Sequence, residues 1–69
     1  MRSLKPREML RFLSDHGFYI HHQRGSHVVL KSHVNLWLRV TVPLHNKDLK
    51  IKTMLSILHQ AGISKEEIG

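Results

Sequence analysis

Arg24-Gly25-Ser26-His27-Val28-Val29-Leu30 is the stretch on which the fold turns. Gly25 accepts a positive φ without a Cβ clash, and the Ser26 hydroxyl can bond nearby backbone, so the two form a tight turn. A β-prone run begins at His27. The turn therefore joins two strands and sets an imidazole where the second strand begins, with the Arg24 cation close by. A side chain so placed has rigid backbone on one side and solvent on the other. A surface hairpin with an incidental histidine has the same local sequence, so the flanking segments must decide between the two.

Upstream, Phe18-Tyr19-Ile20-His21-His22 has the aromatic and β-branched content of a strand. The two-residue period puts Phe18, Ile20 and His22 on one face, and Tyr19, His21 and Gln23 on the other. Downstream, residues 27–32 read as the partner strand. Val28, Val29 and Leu30 are all apolar, so periodicity leaves open which face His27 shares. Ser32 to Asn35 reads as a turn, and Leu36 to Pro43 as a third strand. There Leu36, Leu38, Val40 and Val42 alternate with Trp37, Arg39 and Thr41. The second set can stack a base and hold a phosphate, or simply cover the open face of a sheet. Pro43 lacks an N–H and ends the strand.

Helices flank the strands. Pro6 suits a first helical turn, and Met9, Leu10 and Leu13 recur at helical spacing with Phe12 beside them. The first helix is expected over about 6–16, with Gly17 as its left-handed stop. Lys5, Arg7 and Arg11 lie on its polar side, as a solvated face or a phosphate track. After the polar connection His45-Asn46-Lys47-Asp48, a second helix starts between Asp48 and Lys52 and runs to Ala61. Its stripe is Ile51, Met54, Leu55 and Leu58, and Gly62 caps it. Ser64-Lys65-Glu66-Glu67 has capping-box spacing and predicts a short final turn. The order is α-β-β-β-α: an α+β fold with a three-stranded antiparallel sheet, two helices on one face and the other face open.

Sixty-nine residues make one domain, 1–69. So short a chain buries only ~60% of its unfolded surface, which favours an open working face over an enclosed cavity. Eleven Lys and Arg against five Asp and Glu give a formal charge of +6, before the seven histidines are counted. That excess favours a polyanion, or an acidic protein, through steering and counterion release. Without cysteine there is no disulfide framework and no thiolate site. No run is long enough to span a membrane, and charged residues interrupt any signal-peptide core near the N-terminus. The expected location is the cytoplasm, with no membrane contact.

Three chemistries can be weighed. His21, His22, His27 and His45 could gather a metal, but no carboxylate flanks them and the adjacent pair 21–22 is expected on opposite faces, so neither metal nor cofactor is expected. Ser26 beside His27 lacks the elbow of a hydrolase nucleophile and a third member. RNA cleavage needs less, because RNA carries its own nucleophile in the 2′-hydroxyl. One histidine moving protons contributes ~10²–10⁴-fold, and Arg or Lys can bear charge on the phosphoryl oxygens.

Four segments in order carry a resemblance: His16-Gly17-Phe18, Arg24-Gly25-Ser26-His27, Val40-Thr41-Val42-Pro43-Leu44-His45, and Lys52 through Ile63, followed by Ser64-Lys65-Glu66-Glu67. The chain resembles the HicA family of bacterial toxins, which are mRNA interferases. The resemblance implies a double-stranded-RNA-binding-domain-like fold, translation-independent cleavage of mRNA, and neutralisation by a HicB antitoxin. It places the catalytic histidine at His27, with Gly25 positioning it, and a further motif position at His45. Lys52 stands where many members carry glycine, which bears on the start of the second helix. Arg24, Lys31 and Arg39 are the expected phosphate contacts, and Gly25, Ser26 and His45 complete the expected RNA-binding set. The free toxin is expected to be a monomer. Two other readings fit the same charge: a non-catalytic RNA-binding module of the same fold, and an adaptor for an acidic protein.

Overall fold

The computed structural model describes residues 1–69. Helix α1 (Pro6–Asp15) is followed by strands β1 (Phe18–Arg24), β2 (His27–Ser32) and β3 (Arg39–Pro43). Helix α2 (Ile51–Ala61) and a 3₁₀ turn at Lys65–Glu67 complete the chain. The strands form one antiparallel sheet in the order β1-β2-β3, so β2 is central. This is the α-β-β-β-α architecture, with one sheet face left open.

The two-residue period of β2 resolves the ambiguity of its apolar run. Val28 and Leu30 point to the core with Phe18, Val40 and Val42. They meet Met9 and Leu13 of α1, and Met54, Ile57 and Ala61 of α2. His27, Val29 and Lys31 therefore face the other way. Both helices lie on the core face.

Backbone chemistry closes the hairpin. Arg24 pairs with His27, leaving Gly25 and Ser26 as a two-residue loop. Gly25 has φ 54° and Ser26 a negative φ, the sign pattern of a type II′ turn, whose twist matches that of the strands. The Leu44 N–H donates to the Ser26 carbonyl at 2.6 Å, tying the turn to the chain beyond β3.

Three expectations need correction. The third strand begins at Arg39, not Leu36. Side chains capture the backbone before it: the Ser32 hydroxyl accepts from the Val34 and Asn35 N–H groups, and the Asn35 side-chain oxygen accepts from Trp37 N–H. The Leu38 N–H then donates to the Asn35 carbonyl. Such local bonds compete with a sheet ladder. Leu36 and Trp37 end up 80% and 93% exposed in a loop, so Trp37 is not on the sheet face with Arg39 and Thr41.

The stripe of α2 is also rotated from the one read in sequence. Met54, Ile57, Leu58 and Ala61 are buried, whereas Ile51 and Leu55 are exposed. Both sets satisfy the helical period, and packing on β3 selects between them. Gly62 (φ 68°) ends the helix, its N–H donating to the His59 carbonyl while Ile63 N–H reaches Leu58. Helix α1 spans Pro6–Asp15 with His16 as its C-cap, as expected.

The last correction concerns β1, which runs on to Arg24 and carries a β-bulge. The register steps from Ile20↔Leu30 directly to His22↔Val29, leaving His21 as the extra residue. His21 and His22 therefore do not point to opposite faces.

Candidate functional site

The register lays out the open face in three cross-strand rows. Arg24, His27 and Pro43 form the first; His22, Val29 and Thr41 the second; Tyr19, Lys31 and Arg39 the third. Paired residues share a face, and these are the partners that do not enter the core. Val29, 5% exposed, is an apolar floor between His22 and Thr41 across the strands and between His27 and Lys31 along β2. The exposed imidazole of His27 stands at one end of that floor and the cations Lys31 and Arg39 at the other.

Of the residues expected from sequence, Arg24, His27, Lys31 and Arg39 thus come together on one surface, with Gly25 and Ser26 forming the turn at its edge. His45 is set apart. It follows the sheet, lining a depression of about 500 Å³ with Pro43, Asn46 and Lys50. A second cleft, of about 300 Å³, joins His45 to Lys5 and Arg7 beside α1. Neither hollow includes His27. Lys5, Arg7 and Arg11 surround a separate shallow hollow with Glu8 on the outside of α1.

The bulge adds an arrangement that sequence periodicity hid. Nδ1 of His21 lies 2.8 Å from Nδ1 of His22, one ring donating and the other accepting. The rings meet edge to face, with centroids 5.0 Å apart. Lys31 lowers the pKa of His21 from its ordinary 6.5, and partial desolvation, His22 and Arg39 act in the same direction. The His-His doublet was the only visible signal, because no glycine marks the bulge. Tyr19 meets His33 with ring centroids 4.4 Å apart and planes tilted by 32°. Gln60 of α2 accepts from the Thr41 N–H at 3.1 Å and blunts the β3 edge.

This arrangement can bind an extended polyanion across a flat basic face and present it with titratable imidazoles. It offers three cations, one apolar floor and histidines on both β1 and β2. A family model described as HicA toxin of bacterial toxin–antitoxin matches residues 6–63 of the chain. The chain belongs to the HicA toxin family. Comparison with curated proteins gives no match. As a HicA-family toxin it acts within a toxin–antitoxin system, and membership implies an antitoxin partner. The matched stretch runs from the first residue of α1 to just past Gly62, so every element that shapes the open face of the toxin lies within it. No helix of the toxin is long and apolar enough to cross a membrane.

Proposed function

We propose that this toxin is an mRNA interferase, a cytoplasmic endoribonuclease that cleaves RNA by acid–base chemistry at His27 without a metal and is neutralised by a HicB antitoxin. The observation that carries the reading is the position of His27. It heads the central strand, faces solvent on the open side of the sheet, and has Arg24 directly opposite. RNA supplies its own nucleophile, so the protein need only move protons and stabilise charge on the phosphate. Arg24, Lys31 and Arg39 hold the phosphates in this reading, with Gly25 and Ser26 fixing the approach of the strand. His45, beyond the end of the sheet, contacts RNA only where the strand continues past Pro43. In this reading the free toxin works as a monomer.

Cleavage of a single-stranded RNA in EDTA tests this, comparing the natural chain with His27→Ala on ribose and 2′-deoxy substrates. Cutting that survives EDTA, and is lost with either change, is the expected result. Salt-sensitive binding without strand scission would instead make the domain a non-catalytic RNA-binding module.

A further inference from the structure

Cleavage through the 2′-hydroxyl requires two proton transfers, one from the attacking oxygen and one to the leaving oxygen. His27 supplies one of them. Resting on the RNA-cleavage reading above, we propose that His22 supplies the other: its Nε2 protonates the leaving 5′-oxygen while His27 takes the 2′-hydroxyl proton, and His21 positions the His22 ring.

The geometry singles out His22. It shares the open face with His27 because His22↔Val29 and Arg24↔His27 are two positions apart in the same ladder. The two are diagonal neighbours on paired strands, a separation of ~7–8 Å between backbones. Attacking and leaving oxygens lie roughly in line across phosphorus, each within ~3 Å of its proton carrier. A phosphate seated over Val29 fits between two imidazoles so spaced. Lys31, two residues along β2, and Arg39, its cross-strand partner, then face the non-bridging oxygens. Arg24, Lys31 and Arg39 are poor acids at neutral pH, and Tyr19 lies in the far row.

The bulge is what brings His21 to this face. Bulges re-aim side chains beside active sites, and here the re-aimed ring bonds the half-buried His22 at 2.8 Å. A proton can occupy only one side of that bond. The charged and titratable groups on the surrounding strands are Tyr19 and Arg24 on β1, His27 and Lys31 on β2, and Arg39 on β3, with the Tyr19 ring 6.5 Å from that of His21. Lys31 above all, and Arg39 with it, disfavour the charged form of His21; with His22 as the acid, protonated on both ring nitrogens, its Nδ1–H donates to the Nδ1 lone pair of neutral His21. Nε2 of His22 is then the atom left to serve the substrate, as in other pairs where a third group orients a proton carrier.

The step balances without a co-reactant. The P–O2′ bond forms and the P–O5′ bond breaks; the 2′ proton ends on His27, and the His22 proton ends on the 5′-oxygen. The products are a 2′,3′-cyclic phosphate and a 5′-hydroxyl, and exchange with water resets both imidazoles.

A substrate whose scissile 5′-oxygen is replaced by sulfur decides the matter, because a thiolate leaves without a proton donor. We expect His22→Ala to lose ~10²–10⁴-fold on ordinary RNA and to recover to near the natural rate on the 5′-thio substrate. His27→Ala stays slow on both. His22→Gln, closer to histidine in volume, must repeat the pattern with an unchanged melting temperature. Equal impairment of the His22 variants on both substrates, natural activity on ordinary RNA, or rescue of His27→Ala instead each overturns the proposal. A natural chain that cuts neither substrate removes the underlying reading as well, a pattern distinct from failure of His22 alone.

Discussion

The Nδ1 atoms of His21 and His22 stand 2.8 Å apart although the two residues are consecutive in a strand. Regular pleating sends neighbours to opposite faces. Only the bulge that takes His21 out of register lets both imidazoles meet above the open sheet, within the field of Lys31 and Arg39.

That field makes the His21 titration depend on Lys31. The folded chain binds this proton less readily than the unfolded chain, whose His21 titrates near 6.5. Stability from this group is thus fully present above that value and is lost as pH falls through the lower folded one, since the unfolded state takes up the proton first. Proton NMR should place the His21 midpoint below 6.5 in the natural chain and move it upward in Lys31→Gln. A midpoint unaffected by the substitution would remove Lys31 as the cause.

If the basic face tracks RNA phosphates, Lys31→Gln and Arg39→Gln should weaken binding to all sequences alike. Each cation removed lowers the slope of log affinity against log salt by ~0.7 for a single strand. Binding titrations at several salt concentrations read this directly. An unchanged slope would place the phosphates elsewhere, for instance along Lys5, Arg7 and Arg11 on α1.

Gly25→Ala separates conformation from crowding. No atom lies within 4 Å of where a Cβ would stand, so the penalty comes from φ 54° alone. The expected loss is ~1–2 kcal/mol in urea denaturation. A neutral Gly25→Ala would mean the turn relaxes to another type.

The loop and the core should respond oppositely to large truncations. Trp37→Ser removes the chain's one tryptophan, yet at 93% exposure it should change stability by no more than ~0.5 kcal/mol. Leu30→Ala, at 1% exposure on the central strand, should cost ~2–5 kcal/mol. Circular dichroism melts compare the two. A Trp37 variant that melts like the Leu30 variant would put Trp37 in the packed structure.

Sequence alone determined the order of elements, the hairpin at Gly25-Ser26, the ends at Pro43 and Gly62, and the motifs that lead to the HicA family. Those follow from local chemistry: turn residues, missing donors, hydrophobic periods and order along the chain. Tertiary structure decided what local rules leave degenerate. Two stripes of α2 have the same period, and packing on β3 chose Met54, Ile57, Leu58 and Ala61. The run Val28-Val29-Leu30 has no alternation of its own, and the helices on one side sent Val29, and with it His27, to the other. Residues 36–38 alternate like a strand, but Ser32 and Asn35 claimed the backbone donors first. The bulge at His21 is the clearest case. A register step between strands arises from how β1 and β2 pair over their whole length, so the meeting of His21 and His22 is a property of the sheet rather than of the doublet that spells it.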